Sequence, residues 1–312
     1  MAFALKRRLV YLPKVLPLRA ISGLLMVLAA ACSAAATPSP TVPPASLLGG
    51  PDFSAIIITT DMALGPNRVV FGLIDRDGMP VRTNEAQVSA FYLTPGQDAG
   101  ELRASGAAKF MHWPVGGQGV FSTSLDLDRA GFWQLQATTT TDDGTPVVAL
   151  GAFQVKDKAE TPAIGDPAPR SVTLTAGDVD DLSKISSSGQ PDPDLYRLSV
   201  HQALDEGKPL VVVFATPAFC VSATCGPQVE IISQLKDQYS DRANFIHVEV
   251  FKDPHLIQGR RPSPEGVVAA VDEWNLPTEP WTFVVDKEGR IHAKFEQFTT
   301  VEELEAALLE VL

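Results

Sequence analysis

The sequence predicts two folded parts in series: an all-β sandwich over residues 52–156 and an α/β domain with a mixed central sheet over residues 171–312. Three features lead there. The apolar pattern has a period of two in the first part and alternates between strand and helix patterns in the second. Asp77-Gly78, Pro95-Gly96, Gly116-Gly117 and Asp143-Gly144 cut the first part into short segments with turn chemistry. A polar, Pro-rich stretch over residues 157–170 (DKAETPAIGDPAPR) then separates the two parts.

The N-terminus reads as an export signal over residues 1–31. Lys6, Arg7, Arg8, Lys14 and Arg19 precede a short apolar run, ISGLLMVLAAA, which ends at Cys32. The run is too short for a comfortable membrane span. Leu28-Ala29-Ala30-Ala31 followed by Cys32 resembles the bacterial lipobox, and that resemblance implies cleavage before Cys32 and lipid attachment to it. Residues 32–51, rich in Pro, Ser, Thr and Ala, read as an extended spacer. The expectation is a protein on the extracytoplasmic face of the cell membrane, held by lipid at Cys32, in a compartment where disulfides persist. The formal net charge is −12, and removing the five basic residues of the signal takes the remainder to −17. So acidic a body repels phosphate backbones, which argues against nucleic acid as a partner.

In the first part, strands are expected at 54–60, 68–75, 87–94, 107–113, 120–127, 132–139 and 147–155. Seven short strands in about a hundred residues suggest an antiparallel sandwich. Ala130-Gly131-Phe132-Trp133-Gln134-Leu135 resembles the penultimate strand of Ig-like domains in exported bacterial proteins. No catalytic constellation is visible here. Met111 and His112 are both copper-compatible, but as strand neighbours they point to opposite faces. The part reads as a spacer or a binding module.

In the second part, 198–206 has helical spacing and Gly207-Lys208-Pro209 stops it. The apolar run 210–215 follows as a buried strand, then a helix at 228–239, a strand at 244–251, a helix at 264–274, strands at 281–286 and 291–296, and a helix at 301–311. Lys287-Glu288-Gly289 makes the hairpin turn. The last helix carries Leu304, Leu308 and Leu309 on one face, with Glu302, Glu303 and Glu305 near its N-terminus, where the dipole favours acids.

The stretch 214–227, FATPAFCVSATCGP, holds the chemistry. It contains Cys220 and Cys225, the even pair left once Cys32 is assigned to lipid. A buried strand that ends in two cysteines and enters a helix is a redox arrangement. This stretch, with the segment TEPWTFVVDKEGRI at 278–291, resembles the thioredoxin-like superfamily, in particular its exported membrane-anchored members; 164–169 (IGDPAP) resembles their entry segment. The resemblance implies a thioredoxin-like fold. It also implies a cis proline at Pro280 facing the active site, Cys220 as the attacking thiol and Cys225 as the resolving one. Phe219 takes the place of the usual Trp. Phe219, Thr216, Pro217 and Glu279 are then the expected walls of the substrate groove, and protein thiols or disulfides of exported proteins the expected partners. No cofactor or metal is implied.

The spacing departs from the family. C-x-x-x-x-C on an ideal helix separates the Cα atoms by roughly 8–9 Å, whereas a disulfide needs less than about 7 Å. A bonded pair therefore requires Cys220 to lie off the helix, and Pro227 suits a first helical position. The buried acid that thioredoxins carry on the preceding strand is missing, because Val211, Val212 and Val213 are apolar.

Other readings stay open. One is a non-catalytic thioredoxin-like scaffold with a structural disulfide. Another is a peroxiredoxin-type thiol peroxidase, which Thr216-Pro217 and Cys225-Gly226 resemble; Pro217 and Pro280, however, stand where those enzymes place Thr and Arg. Sco-type copper chaperones use C-x-x-x-C and a His before the third strand. Here Thr278 and Glu279 occupy that place, with His247 and His255 the nearest imidazoles.

Overall fold

A computed structural model describes residues 52–97, 99–114, 118–257, 262–263 and 266–312. The signal at 1–31, Cys32 with the spacer at 32–51, the Gly116-Gly117 turn and residues 259–261 lie outside the described residues.

Seven strands build the first part: β1 (Phe53–Ile57), β2 (Gly65–Asp75), β3 (Glu85–Tyr92), β4 (Glu101–His112), β5 (Gly119–Leu127), β6 (Gly131–Thr140) and β7 (Pro146–Val155). The pairing is β1-β2-β5-β4-β3-β6-β7, and β1 returns to β7, so the strands close into a barrel rather than the expected two-sheet sandwich. Alternation of inward and outward side chains is the same in both architectures, so the pattern cannot separate them. Closure comes from pairings at two places. β4 is long enough to pair with β3 along Glu101–Lys109 and with β5 along Lys109–His112. The short β1 runs antiparallel to β2 and parallel to β7 through Ser54 and Leu150. Gly151 permits that seam, because a Cβ there would collide with the carbonyl of Ala55. The barrel core is Val69, Phe71, Leu73, Phe121, Leu125, Trp133, Leu135 and their neighbours.

The second part is a four-stranded sheet in the order β11-β10-β8-β9, with β8 at Leu210–Ala215, β9 at Asn244–Glu249, β10 at Trp281–Val285 and β11 at Ile291–Glu296. β8 pairs parallel with β9 and antiparallel with β10. Every residue of β8 is buried, as a strand covered on both faces requires. Val211, Val213 and Ala215 face α2 (Cys225–Tyr239) and α4 (Val301–Leu309). Leu210, Val212 and Phe214 face α1 (Val200–Asp205) and α3 (Ala269–Glu273). This mixed sheet with helices on both faces is the arrangement expected for the second part. The helix expected at 264–274 is shorter: Val267 bridges to Phe251 and Val268 hydrogen-bonds Val250, so α3 begins only at Ala269. Among the described residues no helix is long and apolar enough to cross a membrane.

Barrel and sheet belong to one compact unit, joined through buried carboxylates. Asp61, with no side-chain exposure, accepts from the backbone N–H groups of Glu160 and Thr161, the Thr161 hydroxyl, and the ammonium groups of Lys156 and Lys294. Burial pushes its carboxyl up, but the N–H groups, the hydroxyl and Lys294 outweigh this and hold it at about 2. Arg68 of β2 forms a two-pronged pair with Glu303 of α4 at 2.7 and 2.9 Å and reaches the carbonyls of Glu296 and Phe298. Thr60 donates twice to the Glu296 carboxylate, each bond 2.7 Å.

Asp61→Ala strands the half-buried Lys294 without its anion. We expect it to lower unfolding free energy by about 3 kcal/mol at pH 7 in urea titrations. Because the folded carboxyl lies below its unfolded value, Asp61's contribution is complete above about pH 4 and is lost as pH falls towards 2. The wild-type and variant stabilities should therefore converge in acid.

Candidate functional site

The site forms where β8 ends. Thr216, fully buried, turns its carbonyl towards two donors, Phe219 N–H at 3.3 Å and Cys220 N–H at 3.2 Å. That turn lifts Cys220 off the strand axis. Cys220 O then accepts from Ala223 N–H, and Ala223 takes a left-handed backbone with φ of 58°. The chain re-enters helix at Cys225, the first residue of α2. The Cα atoms of Cys220 and Cys225 are 6.0 Å apart and the two form a disulfide. Cys220 thus lies off the helix. The helix starts three residues before the expected 228, so Pro227 occupies its third position. That is still within the first turn, where a missing N–H breaks no helical bond.

The two sulfurs are unlike. Cys225 is fully buried against Val229 and Ile232, whereas Cys220 is partly exposed beside the fully exposed Val221. Ser222 bridges the turn: its hydroxyl lies 3.2 Å from Cys220 Sγ and 2.7 Å from Thr224 Oγ1. A hydroxyl in that place can donate to a thiolate and favour its formation.

Pro280 is cis after Glu279, as the resemblance implied, and is buried. The β10–β8 register pairs Trp281 with Phe214; extended one and two residues, it sets Pro280 across from Ala215 and Glu279 across from Thr216. Phe219 is half-buried, its ring edge-on to Phe251 at 6.3 Å, and Pro217 is half-buried. Thr216 lies beneath the turn rather than on a groove wall. An apolar cavity of about 340 Å³ runs along β9 between Ile185, Glu249, Phe251 and the strongly exposed Val172 and Leu174. It reaches the site through the contact of Phe251 with Phe219.

Two groups escaped the sequence reading. The first is Ser187, whose hydroxyl accepts from Ala218 N–H at 3.1 Å and lies 3.4 Å from Thr216 Oγ1. Its only trace in the sequence is a run of three serines inside an irregular segment. The second is Glu249, at the buried end of β9, whose carboxylate accepts from Ser187 N–H at 2.8 Å. A carboxylate at the end of a strand that is otherwise uncharged at neutral pH was the available signal. Burial, and then the charge of Glu249, push the Glu279 carboxyl up to about 7, against one N–H bond from Thr216 that pulls it down.

The copper candidates separate. Met111 is buried with its sulfur 3.4 Å from an Arg68 N–H, while His112 is exposed, packing on Phe110. His247 is buried, with its ring nitrogens on Tyr196 Oη at 2.6 Å and the Ala215 carbonyl at 3.0 Å. Burial lowers its pKa, which keeps it neutral. His255 sits on the one-turn helix after β9.

No family model matches the chain, and no curated protein matches it in sequence. Solved structures do match in part. A candidate thiol:disulfide interchange protein DsbE from Chlorobium tepidum aligns over 48% of this chain and 99% of its own, at 16% identity and a TM-score of 0.34. A thioredoxin-family thiol:disulfide interchange protein from Chlorobium tepidum TLS covers 48% and 97%, at 16% identity and 0.32. The exposed lipoprotein thioredoxin Etrx1 of Streptococcus pneumoniae TIGR4 covers 34% and 89%, at 15% identity and 0.26. The first two span about half of this chain and the third about a third, and at such scores none carries an argument.

The asymmetry in burial sets an order of reactivity. In the reduced protein Cys220 should alkylate about tenfold or more faster than Cys225, read by mass mapping after brief iodoacetamide exposure. Equal rates would mean that reduction opens the start of α2.

Proposed function

We propose that the protein is a thiol–disulfide oxidoreductase of the extracytoplasmic face, held to the membrane by lipid at Cys32, that exchanges with cysteines of exported proteins through Cys220 and Cys225. One observation supports the exchange above all: the disulfide joins a partly exposed sulfur to a fully buried one at the N-terminus of α2. A substrate thiolate can attack Cys220. The S–S electron pair passes to Cys225, which leaves as a thiolate at a helix N-terminus, where the dipole favours negative charge. The apolar cavity beside Phe219 and Phe251 suits a polypeptide flanking the substrate cysteine.

The competing reading, a scaffold with a structural disulfide, makes a different prediction for the soluble body. We expect a reduction potential above about −270 mV, and Cys225→Ser, but not Cys220→Ser, should accumulate a mixed disulfide with a cysteine-containing peptide. A potential below about −300 mV with no trapped adduct would establish the structural role.

A further inference from the structure

The exchange chemistry leaves one half-buried acid without a task. Glu279 stands immediately before cis-Pro280 and across the sheet from Thr216. Its carboxylate accepts the Thr216 N–H, while the Thr216 carbonyl accepts the N–H groups of Phe219 and Cys220. A single residue therefore links the acid to the turn that carries the reactive sulfur. The other oxygen, Oε2, is buried and has no hydrogen-bond partner among the described residues.

The surroundings decide which form of the acid is cheap. Glu249 faces it from the end of β9, with its own oxygens on Ser187 N–H at 2.8 Å and Phe251 N–H at 3.4 Å. His247 on β9 and Tyr196 from the preceding one-turn helix complete the ionisable groups, bonded to each other and both neutral. Among the described residues neither carboxylate has an ion-pair partner. Two neighbouring carboxylates, one buried and one half-buried, do not ionise together cheaply without a cation. Glu279, with one N–H donor and a bare oxygen, is pushed towards its protonated form by burial and by the neighbouring Glu249.

We propose that Glu279 is a proton-holding positioning residue for the Cys220–Cys225 couple, and that its ionisation suppresses thiolate formation at the pair. The inference rests on the oxidoreductase reading for its biological meaning. In the exchange, the substrate thiolate bonds to Cys220 Sγ, the S–S bond breaks, and its electron pair makes Cys225 a buried thiolate. A second substrate thiolate then attacks the substrate sulfur of the mixed disulfide and expels Cys220. The substrate ends as a disulfide and the pair as two thiols, with two protons transferred from substrate to pair. Neutral Glu279 does not oppose the charge that develops on either sulfur; ionised Glu279 does.

The test uses the soluble body with the pair reduced, and measures the Cys220 alkylation rate against pH. The wild type should show two inflections, one of them near pH 7, where Glu279 titrates. Glu279→Gln keeps an acceptor for Thr216 N–H and should collapse the profile to one inflection, with alkylation about threefold or more faster above pH 7. Glu249→Gln removes the neighbouring charge and should move the inflection near pH 7 to lower pH. A wild-type profile with one inflection, unchanged in Glu279→Gln, overturns the inference. If Glu279→Gln does not fold, an inflection near pH 7 that Glu249→Gln leaves in place overturns it equally. The alkylation readout needs no turnover, so it separates from the function above. Inert exchange with a two-step profile sinks only the oxidoreductase reading, whereas active exchange with an unchanged one-step profile sinks only the role of Glu279.

Discussion

Strand β8 is buried along its whole length and hydrogen-bonded on both edges, so the point at which it stops is fixed. Its six residues have no polar side chain to compete with the ladder. The chain beyond Ala215 must leave the sheet at one place and in one direction. There the Thr216 carbonyl gathers the next turn, and the same register brings cis-Pro280 and Glu279 from β10 to the same spot. The corner that holds the disulfide is therefore a property of the sheet, with the cysteines added to it.

The barrel is tied into this corner. The Glu296 carboxylate accepts from Thr60 of the barrel and from the hydroxyl of Thr278, which in turn accepts from the Trp281 indole at 3.0 Å. A barrel side chain is thus two hydrogen bonds from the segment that carries Glu279 and Pro280. The residues between the two parts are pinned as well: Asp61 holds Glu160 and Thr161, and Gly165 and Ala168 hydrogen-bond to the β10–β11 hairpin. Buried carboxylates are weak evidence for stability, because desolvation offsets their attraction. What these contribute is a defined geometry, since each has donors from both sides of the junction. The first part therefore orients the second and does more than lengthen it.

Most of the second part was legible in the sequence because its signals are local. An apolar run between a Gly-Lys-Pro stop and a Cys-Gly-Pro start allows only a buried strand entering a helix. The placement of Cys220 off the helix followed from the reach of a disulfide alone. The barrel was less legible. The N-terminal half of β4, ELRASG, lacks β-branched residues and alternation, and becomes a strand only because β3 supplies a partner. Closure of β1 onto β7 is a pairing between distant segments and leaves no periodic trace. Ser187 and Glu249 reach the site through contacts spanning 31 and 62 residues of sequence, which no motif encodes. Glu279 was visible as a groove residue, but its protonation was not, because that depends on Glu249 and on burial.

The four residues between the cysteines bear on what the pair is for. A loop this short contributes only about 2 kcal/mol by restricting the unfolded chain, so a staple for stability would gain more by joining distant segments. The local structure instead spends a left-handed Ala223 on bringing the sulfurs together, a conformation that disfavours a side chain. It leaves one sulfur reachable and places it beside the Ser222 hydroxyl and the start of α2. A structural disulfide needs none of these. A disulfide that opens and closes needs a place for the negative charge that appears on sulfur each time it does.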